Sequence, residues 1–462
     1  MLEGLEITEI KLTELKEANK TFRIDSNFFL KEVISLDKKI KEKPHFFISE
    51  NNVVSGPFGS TLTSSSYLSS GVPFIRIENI KNGFSVSKEN MIYISEYDNN
   101  RLRSSQLFTN DLILSKVGNT IGFYASVDEE MKACNISENN IGIKLSDYTT
   151  ERKHFILTYL NTDIGYKLTV RRTSGNAQPK LNVFDVSEIP IPIFSEDFEK
   201  TISKAVLDSR IKLAESKSLY AQAEDTLICE LGLKGWQPDN NPVNIKQLKE
   251  SYLASGRLDA EYYQPKYDAL FAQLSKYECD TIKNIAHINK SVEPGSDAYQ
   301  DNGIPFVRVS DVEKFGISDP NIFLSPDDFD LQELRPKKDT ILLSKDGSVG
   351  IAYKVEKDLD CITSGALLHL TVFNQDYNPD YLTLVLNSKI VKMQAERDAN
   401  GAIIQHWKPS EIEQVIIPKL PMSIQNDISS KIQKSFVLKA ESKRLLEEAK
   451  MMVEQEIEKG GE

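Results

Sequence analysis

The chain has 462 residues, 56 Lys and Arg against 68 Asp and Glu, a formal charge of −12 and four cysteines. Its 40% hydrophobic and 27% charged content is ordinary for a globular protein and excludes disorder, collagen-like repeats and a disulfide scaffold. The acidic balance argues at first sight against nucleic acid as a partner, because sequence-independent affinity for it comes from neutralising phosphates. No run of about 18 apolar residues occurs, so no membrane span is expected, and the N-terminus lacks the basic-then-apolar layout of a signal peptide. Cys134, Cys229, Cys279 and Cys361 stand singly, without a CxxC pair. A reducing cytoplasm is the expected compartment.

Length implies more than one domain, and the chain turns out to be two copies of one plan. Five blocks recur in the same order. Arg23-Ile24-Asp25 returns as Arg257-Leu258-Asp259, and Gly71-Val72-Pro73-Phe74-Ile75-Arg76 as Gly303-Ile304-Pro305-Phe306-Val307-Arg308. Asp111-Leu112-Ile113-Leu114-Ser115-Lys116-Val117-Gly118 matches residues 339–347 with one residue inserted, and each copy then reaches a second glycine, Gly122 or Gly350. Ile191-Pro192 matches Ile417-Pro418, and Ala214-Glu215-Ser216-Lys217 is repeated identically at Ala440-Glu441-Ser442-Lys443. The offset drifts from 234 residues at Arg23/Arg257 to 226 at Ala214/Ala440, as loops of changing length between fixed elements would make it.

In chain order, short apolar runs at 73–77, 112–114 and 189–193 are bounded by Gly, Pro, Asn and Asp and read as strands. A helical pattern over 155–168 lies between them, with its counterpart at 381–397. Each copy is thus a mixed α/β globule, followed by a long segment without proline or interior glycine, 196–231 and 422–459, which predicts a single helix. A segment rich in Pro, Asn and Asp, 236–244, links the copies.

The two long helices share a heptad pattern. Val206, Leu213, Tyr220 and Leu227 recur every seven residues in the first, interleaved with Ser209, Ser216 and Ala223. The second has Ile432, Lys439, Leu446 and Val453 with Ser435, Ser442 and Ala449. A seam alternating large and small residues lets two helices approach closely. Lys439 is its one flaw. The bland alternative is that each helix merely covers its own globule, but about 35 residues give ~50 Å, more than one globule needs. An antiparallel coiled coil is expected, with pseudo-twofold symmetry between the halves.

No catalytic constellation appears. The five histidines show neither HExxH nor HxH spacing, and there is no GxSxG, GxxxxGK[ST] or GxGxxG motif. No Pro-Pro dipeptide exists for an amino-methyltransferase motif. The nuclease-like Glu-x-Lys at Glu215/Lys217 and Glu441/Lys443 falls on the predicted helices, where a solvated face is the ordinary explanation. No metal site is expected. The chain reads as a binding protein.

The repeated blocks resemble the specificity (S) subunit of type I restriction-modification systems. The likeness is carried by Gly-x-Pro-Phe-x-Arg at 71–76 and 303–308, and by Asp-x-x-x-Ser-Lys-x-Gly at 111–118 with its looser copy. A Gly-x-x-Gln loop (Gly175 to Gln178, and the longer Gly401 to Gln405) precedes the strand ending in Pro192 or Pro418. The resemblance implies an α/β (α+β) architecture of two pseudo-symmetric globular target-recognition domains joined by two long antiparallel coiled-coil helices. Its parts would be a first recognition domain at 1–195, a spacer helix at 196–232, a linker and entry to the second repeat at 233–256, a second recognition domain at 257–421 and a second spacer helix at 422–462. It further implies that each domain reads one half of a bipartite double-stranded DNA target. This subunit would be non-catalytic and hold no cofactor. Two modification (methyltransferase) subunits and the restriction (motor-nuclease) subunits would supply adenine methylation and cleavage, with S-adenosylmethionine, ATP and Mg bound there. A ~50 Å spacer spans about one and a half DNA turns at ~34–36 Å per turn.

Reading sequence requires donors and acceptors at base edges, with Lys and Arg on phosphates to set register. The richest candidates lie in the two Gly-containing loops: Arg171, Arg172, Asn176, Gln178 and Lys180 in the first, and Arg397, Asn400, Gln405, His406 and Lys408 in the second. Their sequences differ while their flanks match, as two different half-targets require. Arg76 and Arg308 are candidates for phosphate contact or for structural salt bridges, and Lys116 and Lys345 precede glycine turns. Trp407 reads as core. Two other readings stand beside this one: a protein-binding scaffold that bridges partners through its helices, and a fused enzyme with an unrecognised site. If the resemblance holds, the negative charge describes a division of labour, with bulk affinity for DNA left to the partners.

Overall fold

The computed structural model describes residues 9–13, 15, 23–81, 83–175, 179–239, 241–329, 331–399 and 405–459. Packing divides the chain into two units, residues 1–212 with 440–462 and residues 213–439. These limits cut through both long helices, unlike the boundaries expected at 195 and 421. Each unit takes one globule, the start of the helix that follows it and the end of the other helix.

In the first unit a five-stranded sheet runs in the order Val53–Ser55, Asn140–Ile143, Leu112–Ser115, Tyr124–Ser126 and Phe84–Ser85. Its pairings are antiparallel except the last. The central strand is buried throughout, with Leu112, Ile113 and Leu114 in sequence, because both faces are covered. Leu112 and Leu114 pack with Phe155, Leu157 and Leu160 on the helical side, whereas Ile113 points the other way, onto Ile75, Leu107 and Ile136. A second sheet, ordered Ile92–Ile94, Val72–Ile75, Ala133–Ile136 and Leu107–Phe108, lies on that side. In the second unit the equivalent order is Ala286–Lys290, Leu367–Val372, Ile341–Ser344 and Ala352–Lys354, all antiparallel.

The strand pairings correct one detail of the repeat. Leu112 lies opposite Ser126 and Ile341 opposite Lys354, which aligns Asn110 with Asp339 and Asp111 with Thr340. No residue is inserted. Asn110 and Asp339 both take left-handed backbone, at φ 66° and 67°, which short polar side chains tolerate. Their amides donate to equivalent carbonyls, Val127 O at 2.9 Å and Val355 O at 2.8 Å.

Each helix expected over 155–168 and 381–397 is in fact two. Thr150–Leu160 breaks before Asp163–Val170, and Pro379–Asn387 before Lys389–Asp398. Asn161, in the break, accepts from Tyr124 N at 3.1 Å and donates to Tyr124 O at 2.8 Å. Asn387 holds Ala352 in the same way, at 3.1 and 2.7 Å. In each unit a side-chain amide thus takes the place of a strand neighbour for one residue and pins the helix corner to the sheet. The apolar period runs straight through the break and gives no sign of it.

The long helices span Glu196–Glu230 and Met422–Lys459. In the first unit Ser209 Oγ donates to Ser442 O at 3.0 Å and meets Ser442 Oγ at 2.8 Å, beside an ion pair of Lys212 with Glu441 at 2.5 Å. In the second, Ser216 Oγ donates to Ser435 O at 2.7 Å and Ser435 Oγ to Ser216 O at 2.8 Å, with Glu215 pairing Lys434 at 3.0 Å. A step of seven up one helix matches a step of seven down the other, so the helices are antiparallel. Val206, Tyr220, Ala223, Leu227, Ile432, Ala449 and Val453 are buried, and Leu213 and Leu446 half-buried. Lys439 escapes the seam by donating to Phe315 O at 3.0 Å and lying over the Phe315 ring at 5.1 Å. The helices also cover globules: Ala449, Val453 and Ile457 share a cluster with Leu112 and Phe155, and Tyr220, Leu227 and Ile432 share one with Ile341 and Tyr381. Among the described residues no helix is long and apolar enough to cross a membrane.

Two histidines are built in uncharged. His154 Nδ1 lies 2.8 Å from Ser203 Oγ, and its Nε2 accepts from Arg210 Nη1 at 3.1 Å. His369 Nε2 lies 2.7 Å from Thr363 Oγ1. Burial, with Arg210 and then Lys153 nearby, pulls the His154 pKa from 6.5 down to about 3, and burial alone brings His369 to about 4.

Two outcomes follow. Replacing Ser209 or Ser442 by Leu overfills the seam and costs about 1–3 kcal/mol, seen as faster amide exchange in the first unit's helices, whereas Ser209→Ala changes it less. Because both histidines titrate lower folded than unfolded, stability is complete above pH 6.5 and falls as pH drops towards 4 and 3, by up to about 1.4 kcal/mol per pH unit for each. The fall in thermal midpoint between pH 7 and pH 5 should therefore shrink in His154→Gln.

Candidate nucleic-acid interface

After each central strand the chain makes the same turn. Ser115 and Ser344 are fully buried and hold it from inside: Ser115 Oγ meets Thr120 Oγ1 at 2.7 Å, while Ser344 Oγ donates to Ser348 O at 2.5 Å and accepts from Ile351 N at 2.8 Å. Gly118 and Gly347 follow, at φ 89° and 71°, conformations that favour glycine. Nothing lies within 4 Å of the place a side chain would occupy at either, so the turn faces open space.

The Gly-containing loop returns to the same turn in both units. Leu181 N donates to Lys116 O at 2.9 Å, and Trp407 N to Lys345 O at 2.8 Å. Lys180 bridges Val117, and His406 bridges Asp346. In the first unit Ser174 and Lys180 exchange two backbone hydrogen bonds of 2.8 Å, closing the loop. In the second, Gly347 N donates to Gln405 O at 3.0 Å.

Three matched positions result, and their chemistry differs. Lys116 corresponds to Lys345, Val117 to Asp346 and Lys180 to His406. In the first unit the turn offers cations: Lys180 is exposed, Lys116 is half-buried, and neither forms an ion pair among the described residues. In the second, Asp346 pairs with Lys345 and accepts from His406 Nδ1 at 2.8 Å, making a cluster of donors around one acceptor. Gln405 and Lys408 are exposed beside it, with Lys408 at 3.9 Å from Glu411. Val117 and Asp346 did not stand out in the sequence; the signal available was that this is the varying position inside a matched Ser-Lys-x-Gly block.

Other candidates belong to the scaffold. Arg171 and Arg172 are buried. Arg171 Nε donates to Phe28 O at 2.6 Å and its guanidinium lies over the Phe28 ring at 4.3 Å, while Arg172 donates to Glu188 O at 2.5 Å. Both flank Asp37, at 3.5 and 4.0 Å. They tie the loop to the helix Lys31–Lys41 and are not available at the surface. Arg397 plays the same part in the second unit, pairing with Asp398 at 2.7 Å and lying over Phe271 and Tyr262 at 4.5 and 4.9 Å. Arg76 pairs with Glu78 and donates to Asn90 O at 3.1 Å. Arg308 reaches Asn321 at 3.4 Å and Asp311 at 3.6 Å. Both are half-buried, with local partners that suit a structural role. Trp407 is buried in the core. Asn176, Gln178 and Asn400 lie outside the described residues. Glu215 and Glu441, suspect for their Glu-x-Lys spacing, are the interhelical ion-pair partners described above.

No protein-family model and no curated protein matches the chain. Among solved structures it is similar to the S subunit of a type I restriction-modification system from M. genitalium, at 14% identity over 90% of this chain and 95% of that one, with a TM-score of 0.38. The HsdS subunit from Thermoanaerobacter tengcongensis gives 15% identity over 91% and 95%, with a TM-score of 0.27. A chain from a structure of the type I R-M system, concerned with complex assembly and conformational transition, gives 15% over 90% and 97%, with a TM-score of 0.29. Two of these three neighbours are described as type I specificity subunits. Identities and TM-scores are low, and the matched pair of turns stands on this chain's own residues.

The burial pattern separates scaffold from surface experimentally. Arg171→Ala should cost about 3 kcal/mol by leaving Asp37 short of its buried partner, whereas Lys180→Ala should stay within about 0.5 kcal/mol. Denaturant unfolding of the full chain checks both.

Proposed function

We propose that this chain is a non-catalytic, sequence-specific DNA-binding subunit of a type I restriction-modification complex. Each unit takes one half of a bipartite double-stranded target through its Ser-Lys-x-Gly turn and returning loop. The observation that carries this reading is identical backbone pairing beneath different side chains: Leu181 to Lys116 in one unit, Trp407 to Lys345 in the other, at 2.9 and 2.8 Å. A duplicated scaffold that keeps the backbone of this turn while changing its side chains is what reading two different half-targets requires. Lys116 and Lys180 offer donors alone, suited to phosphates or to the paired acceptors of guanine. The second turn adds the acceptor Asp346, able to receive the amino group of cytosine when it is released from His406 or Lys345.

The remaining parts follow from the same reading. The long helices, 35 and 38 residues, set the gap between half-targets and dock two methyltransferase subunits. Those subunits and the motor-nuclease subunits carry S-adenosylmethionine, ATP and Mg. With a net charge of −12 and few unpaired cations on either turn, the chain alone binds DNA weakly, and tight, salt-sensitive binding belongs to the assembly.

Selecting duplexes from a random library with the full chain and its methyltransferase subunit tests this. Two short motifs at a fixed gap should emerge; recovery of DNA without any shared motif would overturn the reading in favour of a protein scaffold. Lys116→Ala and Lys180→Ala should each lower the salt slope of binding by roughly one if they contact phosphate, and any change in preference should be confined to one half-target. Asp346→Ala should alter the other half alone.

A further inference from the structure

One buried polar contact between globule and helix is built from opposite materials in the two units. In the first, Arg210 on the long helix reaches into the globule. Its Nη1 donates to Asn110 Oδ1 at 2.9 Å and to His154 Nε2 at 3.1 Å, and its Nη2 to Ser126 Oγ at 2.8 Å. His154, at 1% exposure, closes the chain of contacts on Ser203 of the same helix at 2.8 Å. All three groups that receive the guanidinium are neutral.

The repeat places Phe436 at the position of Arg210, Lys354 at that of Ser126, Asp380 at that of His154 and Asp339 at that of Asn110. Ser203 alone keeps its identity, as Ser429. In the second unit the globule therefore supplies its own cation. Lys354, at 6% exposure, lies 3.1 Å from Asp380, 3.3 Å from Asp339 and 3.2 Å from Glu356. The helix answers with neutral groups only: Ser429 Oγ donates to Asp380 at 2.7 Å and Gln433 Nε2 at 2.9 Å, while Phe436 packs near Phe315 and Tyr353, at 6.3 and 6.2 Å between ring centres.

We propose that these are two mutually exclusive docking codes. A globule with Ser126 and His154 seats only on a helix that offers an arginine at position 210, and one with Lys354 and Asp380 only on a helix that is uncharged at the matching position. Seating the first globule on the Phe436 surface strips the donor from Asn110, Ser126 and His154 where water does not replace it. Seating the second on the Arg210 surface drives a guanidinium into the place Phe436 fills against Phe315 and Tyr353 and sets it in competition with Lys354 for the three carboxylates that Lys354 already holds. The two globules are thus not interchangeable between their places in the chain, whatever each of them binds, and this inference does not depend on the DNA reading.

The test transplants the second code into the first unit of the full chain. Arg210→Phe alone should speed amide exchange in Tyr124–Ser126 and Thr150–Leu160 by about tenfold or more, because it removes the shared donor of Asn110, Ser126 and His154. Adding Ser126→Lys and His154→Asp should bring it back to within about threefold of the parent, because Asp128 occupies the place of Glu356 and completes the cage. If the triple variant exchanges as fast as Arg210→Phe, the codes are not codes and the proposal fails. Should that set not fold, the reciprocal one, Lys354→Ser with Asp380→His and Phe436→Arg, is read in Ala352–Lys354 and Pro379–Asn387. Phe436→Arg alone should speed exchange there and the triple should slow it again; equal effects of both overturn the proposal.

Discussion

Each globule completes its core with the far end of a helix that belongs to the other copy. In the first unit Ala449, Val453 and Ile457, from the last turns of the chain, are fully buried among Leu112, Phe155 and Leu160. In the second, Tyr220, Ala223 and Leu227, from the end of the first helix, close over Ile341 and Tyr381. Burial of those side chains contributes roughly 1.5–3 kcal/mol for each large residue, and it is gained only when both long helices run alongside one another. The seam must therefore admit close approach, which is why serine and alanine alternate with the large residues, and why the serines spend their hydroxyls on each other and on facing carbonyls rather than remain unsatisfied.

The turn after each central strand lies outside that packing. The central strand ends in a buried serine, the glycine after it turns into open space, and the returning loop is pinned by one backbone hydrogen bond from Leu181 or Trp407. These backbone constraints leave the side chains at 180 and 406 exposed, whereas Val117 is buried and Asp346 is held between Lys345 and His406. The arginines nearest the loop are in the reverse position. Arg171 and Arg172 spend their donors on Phe28, Glu188 and Asp37, tying the base of the loop to the globule.

Duplication also left a trace where the copies no longer match. The contact between globule and helix takes its cation from the helix in one unit, as Arg210, and from the sheet in the other, as Lys354. Only Ser203 and Ser429 are common to both. A duplicated gene begins with one solution to this contact; the present chain carries two, each satisfied within its own unit.

The sequence by itself determined the duplication, the extent of both long helices to within a residue or so, and the seam residues that pair them. These are legible because they depend on period and on absence of helix breakers, which are local properties. It also showed where the turns fall, through Ser-Lys-x-Gly. Tertiary structure alone decided that the shorter helices break at Asn161 and Asn387, since those amides bind strands 37 and 35 residues away. It alone decided that Arg171 and Arg172 are interior, because a charged pair in a glycine loop looks exposed until the position of Asp37, more than 130 residues earlier in the chain, is known. And it alone aligned Asp339 with Asn110, because register is set by which carbonyl an amide meets across the sheet, and no count along one strand contains that partner.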